Sequence, residues 1–137
     1  MVAIKATDVR REFSEFLDEA IKKPQYTKRR KQIYITIPCE TLDKIFPYKI
    51  RVTIKKDSDG SYYSENDTLP DIIGYGATKD AALASLRDDL IAYSYEYNDN
   101  FPLYSVAPNR ADDLPMVMKI LSHYEKDGDI SSIMEVR

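Results

Sequence analysis

The spacing of apolar positions changes several times along the chain, and each change marks an element. Val2 and Ile4 alternate over residues 2–5, which suits a short strand. Val9, Phe13, Phe16, Leu17, Ala20 and Ile21 follow at helical steps and describe one face of a helix, which Pro24 stops. Thr7 is predicted to cap that helix, with Asp8 near its positive end. Ile33, Ile35 and Ile37 then alternate with Tyr34 and Thr36, the pattern of a strand with one buried face. Tyr26 and Thr27 are its expected hairpin partner. The stretch PCETLDKIF reads as a short helix with Leu42, Ile45 and Phe46 inward, ended by Pro47.

A second unit follows. Ile50, Val52 and Ile54 alternate with Arg51, Thr53 and Lys55, and Asp59-Gly60 is a strong hairpin signal before the return strand SYYSEN. LPDIIGYG is a third, short strand. Thr78 is predicted to cap a helix whose Ala82, Leu83, Leu86, Leu90 and Tyr93 face the sheet. FPLYSVA is expected to return as a fourth strand, giving the order β-β-β-α-β in an α+β layer. Asp113 and Pro115 then fit a helix start. Leu114, Val117, Leu121 and Tyr124 form one stripe on that helix, with Met116 and Ile120 beside it, and Gly128 stops it. Ile130, Ile133 and Met134 lie in a final segment too short to bury them alone. The expected organisation is therefore residues 1–46, 47–107 and 108–137.

With 137 residues the chain makes one ordinary domain or two very small ones. Its single cysteine, Cys39, rules out an internal disulfide and points to a reducing compartment. No apolar run approaches the ~18–20 residues of a membrane span, and the start has no apolar signal-peptide core, so a cytoplasmic protein is expected.

Charge sharpens the picture. Residues 1–56 hold fourteen Lys or Arg against seven Asp or Glu, a balance of +7. Residues 57–137 hold six against sixteen, a balance of −10, and the two together give the overall −3. This asymmetry suggests two partners of opposite electrostatic character, or else two charged faces that only keep the protein in solution. The bases Lys28, Arg29, Arg30 and Lys31 run consecutively at or near the predicted hairpin turn, which must be exposed because burying four charges is costly. Together with Thr7, Arg10 and Arg11 at the first helix, they make the cations and donors that phosphate contacts need.

Signals for catalysis are scarce. His123 stands without an evident ligand set, and Cys39 reads as a structural thiol. Asp88 and Asp89 are adjacent on a helix and diverge by about 100°. Gly74-Tyr75-Gly76 lacks the Lys and Ser/Thr of a phosphate loop, and Tyr93, Tyr95 and Tyr97 read as helix packing. No enzyme, cofactor or metal is expected.

Residues 1–46 resemble the Phd/YefM family of antitoxin DNA-binding domains through IKATDVRREFSEFLDEAI and YTKRRKQIYITIPCETLDKIF. Ala6, Thr7, Arg10, Ser14, Leu17 and Asp18 carry the first part, and Thr27, Arg29 and Arg30 the second. KRRKQ replaces the family's usual turn. Residues 48–106 resemble the HicB antitoxins through VTIKKDSDGSYYSEN, LPDIIGYGAT and the Ala- and Leu-rich helix; Asp59, Gly60, Tyr62, Gly76, Thr78, Ala81, Ala82 and Leu83 match. The resemblances imply a β-α-β-β-α dimerisation unit, a partial ribonuclease-H-like unit without catalytic carboxylates, and a small toxin as partner.

The expected protein is thus an antitoxin. It would bind operator DNA through Thr7, Arg10, Arg11, Lys28, Arg29, Arg30 and Lys31. Val9, Phe13, Phe16, Ile33, Ile35 and Ile37 would form the core of a homodimer, which is the expected assembly unless the chain forms a higher oligomer. Leu114, Val117, Ile120, Leu121, Tyr124, Ile130, Ile133 and Met134 would hold a cognate toxin. A protein-interaction module without DNA binding is the alternative, and an RNA-acting enzyme is a third reading.

Overall fold

The computed structural model describes residues 2–137, and its contacts divide the chain into two units, Met1–Pro47 and Tyr48–Arg137. The first unit opens with β1 (Ala3–Lys5), α1 (Ala6–Arg11) and α2 (Phe13–Lys22). The predicted single helix is thus two, broken at Glu12, whose φ of −124° and ψ of 47° are not helical. Helix α1 begins at Ala6, so Thr7 lies inside its first turn and makes no capping bond, contrary to expectation. Strands β2 (Gln25–Arg29) and β3 (Gln32–Thr36) form the expected hairpin, and α3 (Cys39–Ile45) closes the unit. The sheet order is β1-β2-β3, with β1 parallel and β3 antiparallel to β2.

This unit is too small to bury its apolar residues alone. Phe16 and Ala20 of α2 are buried, and the buried Gln25 side chain donates to the Lys23 carbonyl at 3.0 Å. Phe13 and Leu17 on the same helix remain exposed. So do Ile33 and Ile35, which were expected to face a core, and Ile45, which was expected to point inward. The three strands pack against only the short helices α1 and α2 among the described residues of this unit, too little apolar surface to cover them.

The second unit contains β4 (Ile50–Lys56), β5 (Tyr62–Asn66), β6 (Gly74–Gly76), α4 (Lys79–Asp99), α5 (Phe101–Tyr104), α6 (Leu114–Asp127) and β7 (Met134–Val136). The β4–β5 hairpin turns at Asp59-Gly60, where Gly60 takes φ +89° and Asp59 accepts the Ser61 amide at 2.9 Å. Thr78 caps α4, accepting the Ala81 amide at 3.1 Å, and Gly128 ends α6 with φ +69°, both as predicted. Sheet order is β6-β5-β4-β7, with β7 parallel to β4.

The expected fourth strand, FPLYSVA, is not one. Phe101–Tyr104 is the short helix α5, started by Asn100 and Pro102, and the last strand comes from the C-terminal residues instead. Helix α4 packs on β4, β5 and β6, and α6 packs on α4. Ile50, Val52, Ala82, Leu86, Leu90 and Tyr97 are fully buried between them.

Candidate functional site

In the parallel ladder of the first unit, Lys5 pairs with Lys28. Because α1 starts directly after Lys5, the helix start lies at the same end of the sheet as the hairpin tip. Arg29 pairs with Gln32, so Arg30 and Lys31 alone form the turn. Arg30 has φ 57°, a left-handed conformation usually left to glycine or asparagine in such turns. Lys28, Arg29, Arg30 and Lys31 are all exposed, and among the described residues none is ion-paired. Arg29, Arg30, Lys31, Gln32 and Tyr34 line a shallow depression.

The helix contribution is smaller than expected. Thr7 is exposed beside the strand end, while Arg10 and Arg11 lie in the last turn of α1, about 5 Å further along its axis. Arg11 is held by Asp8 at 2.9 Å, an exposed pair that contributes little to stability but occupies the guanidinium. Lys28–Lys31 and Thr7 are therefore gathered at one end, and Arg10 and Arg11 are set apart.

Charge also follows the units less sharply than it follows residue 56. Residues 1–47 hold ten bases against seven acids, +3, and residues 48–137 hold ten against sixteen, −6. Lys49, Arg51, Lys55 and Lys56 belong to the second unit, where Lys55 pairs with Glu65 at 3.0 Å.

The C-terminal stripe is placed differently from expectation. Val117, Ile120, Ile130 and Ile133 are buried in the core of the second unit, and Met134 begins β7. Their burial against α4 and β4 means they fill their own unit and are not free to wrap a partner. Leu114, Leu121, Tyr124 and Met134 stay half-buried. The periodicity of α6 is equally that of a helix packed on its own domain, so nothing in the sequence separates the two cases.

One cluster was missed. The Tyr93 hydroxyl donates to Asp113 at 2.6 Å, and the Arg110 guanidinium lies 4.1 Å from the centre of the Tyr104 ring and 5.7 Å from that of Tyr93. Tyr97, fully buried, donates to the Arg110 carbonyl at 3.0 Å. The tyrosines were legible only as packing, because their polar partners lie thirteen and twenty residues away.

The chain thus holds a small unit with a basic hairpin tip and a larger α+β unit of net charge −6. The family profile described as PHD-like, antitoxin of toxin-antitoxin, RelE/RelB, TA system, matches residues 1–135. The chain belongs to this antitoxin family. One profile therefore spans both units. A solved structure from Syntrophomonas wolfei subsp. wolfei, described as an antitoxin part of a proposed toxin/antitoxin system, is similar at a TM-score of 0.79. It is 24% identical, and the match covers 100% of this chain and 99% of that one. No curated protein matches the chain. Membership points to a non-enzymatic regulatory protein with a cognate toxin as partner. No helix among the described residues is long and apolar enough to cross a membrane.

Proposed function

We propose that the chain neutralises its cognate toxin by direct binding and represses its own operon as a dimer gripping operator DNA. The first unit is read as a Phd/YefM-type DNA-binding unit and the second as a HicB-like one that meets the toxin. The observation that carries the DNA part is the unpaired basic hairpin tip with the start of α1 beside it. An arginine held at φ 57° adds support, since a strained backbone position is kept where its side chain is used. Phe13, Leu17, Ile33 and Ile35 are exposed apolar residues that suit a second copy, and a two-fold dimer doubles the phosphate contacts. Leu114, Leu121, Tyr124 and Met134 retain enough exposure to touch a toxin, while Val117, Ile120, Ile130 and Ile133 support them from beneath.

The test is binding to the duplex upstream of the protein's own gene at two salt concentrations. Replacing Lys28, Arg29, Arg30 and Lys31 together by alanine is expected to weaken binding at least tenfold. It should also flatten the salt slope by about 0.9 for each phosphate that is no longer neutralised. Equal affinity and slope would defeat the DNA assignment.

A second reading has the modest +3 charge of the first unit in its favour. On that reading the basic tip meets an acidic protein and no DNA. Pull-down after nuclease treatment separates them: a partner retained without nucleic acid favours the second.

A further inference from the structure

Two depressions in the second unit adjoin, sharing Asp71, Ile72 and Tyr93. The first has a volume of about 390 Å³, within the range of a site that takes a ligand or a few side chains. Leu69, Ile72 and Ile73 give the combined groove buried and half-buried apolar walls. Its acids are Asp71, Asp89, Glu96 and Asp113, against the single cation Arg110.

Two of those acids are already engaged. Asp113 accepts the Tyr93 hydroxyl at 2.6 Å and Glu96 accepts that of Tyr104 at 3.2 Å. The carboxylates of Asp71 and Asp89 are exposed, and among the described residues neither has a hydrogen-bond or ion-pair partner. Arg110, stacked on Tyr104, leaves its buried Nη1 without an acceptor among the described residues. Buried donors of this kind ordinarily find one.

We infer that this groove is the docking site for a segment of the toxin that carries lysine or arginine beside apolar side chains. The inference rests on the antitoxin reading and names the surface it uses. The apolar side chains cover Leu69, Ile72 and Ile73, and the basic ones meet Asp71 and Asp89. An anionic ligand fits poorly, because Asp71 and Asp113 line the same depression as the one arginine, Asp89 and Glu96 line the adjoining one, and the unit as a whole carries −6.

The experiment uses the full chain and the purified toxin encoded in the same operon. Asp71→Lys with Asp89→Lys reverses two exposed charges that hold no structural bond, so the fold survives; a matching melting curve verifies this. Toxin affinity is expected to fall at least tenfold. Asp71→Asn with Asp89→Asn should lie between, and the loss should shrink in high salt. Hydrogen exchange at residues 69–73 should slow when toxin binds to the wild type.

Unchanged toxin affinity in the reversal variant, with protection elsewhere, overturns the groove and leaves the antitoxin reading standing. If the variant alters self-association alone, the groove belongs to a second copy of the chain and the inference fails. If inorganic phosphate protects residues 69–73 and the toxin does not, the site is an anion site and the inference fails. No complex with the wild type at all removes the antitoxin reading and the groove with it.

Discussion

The Tyr93 hydroxyl reaches Asp113 across twenty residues, tying the middle of α4 to the residue before α6. Four residues further along α4, Tyr97 donates to the Arg110 carbonyl, so one helix face fixes the 110–113 turn at two points. Replacing Tyr93 by phenylalanine removes one of these bonds and leaves the ring in place. The expected cost is about 1 kcal/mol in urea unfolding. A change near zero would mean that water serves Asp113 as well as the phenol does.

The same tyrosines set an alkaline limit. Burial, then the bond to Asp113, holds the Tyr93 phenol far above its usual range. Tyr95 is pushed up to about 12, first by its hydrogen bond to Glu125 and then by burial. Burial also raises Tyr97. A phenol with a raised folded-state pKa keeps its proton longer in the folded chain than in the unfolded one. Its contribution is complete below about pH 10 and is lost as pH climbs through the raised value. Urea midpoints should therefore drop between about pH 10 and about pH 12, and the drop should be shallower in Tyr95→Phe. Parallel profiles for both proteins would count against the linkage.

Gly74 is fixed by neighbours that cannot retreat. A Cβ there would lie 2.4 Å from the Ala82 carbonyl oxygen, 2.5 Å from the Leu86 nitrogen and 2.5 Å from Ser64 Oγ. Two of these are main-chain atoms of α4, so Gly74→Ala must push β6 off the helix. A cost of about 1–3 kcal/mol or more is expected. At Gly60 a Cβ meets open space and only the φ of +89° resists, so Gly60→Ala should cost about 1 kcal/mol. Thermal melts rank the two, and a milder effect at Gly74 would contradict the packing argument.

These contacts mark the boundary of what the sequence disclosed. Asp59-Gly60, Thr78 and Gly128 act on their immediate neighbours, and each was legible at its own position. Phe101 to Ala107 is apolar and follows a helix, which suited a returning strand, yet it begins as a short helix after Asn100 with Pro102 in its first turn. The strand that takes the remaining sheet edge, Met134–Val136, is three residues long and exists because β4 offers it an edge from more than eighty residues away. The basic tip was readable because charge itself demands exposure. The fate of Val117, Ile120, Ile130 and Ile133 was not, since an apolar stripe carries no mark of whether its cover is its own sheet or another chain.

Arg30 separates turn geometry from charge. Its φ of 57° is a conformation that glycine adopts freely, so Arg30→Gly should relax the hairpin. Stability of the first unit is expected to rise or hold within about 1 kcal/mol. DNA affinity should nevertheless fall, with the salt slope reduced by about 0.9 if the guanidinium neutralises one phosphate. A variant that binds the operator duplex as tightly as the wild type would show that Arg30 serves the turn alone.

Ile35 tests the proposed dimer. It is 61% exposed and pairs across the hairpin with Tyr26, so an aspartate there meets water in the isolated unit and leaves the fold intact. At a two-fold interface the same carboxylate would face its own copy and an apolar surface, and both repulsion and desolvation oppose association. Sedimentation should then report a monomer for Ile35→Asp under conditions where the wild type is a dimer, with unchanged helix content. Because each protomer brings only one hairpin tip, the monomer should show about half the salt slope on operator DNA. A dimer that persists in the variant, at the same concentration, would place the interface away from β3 and leave its exposed isoleucines without the role assigned to them.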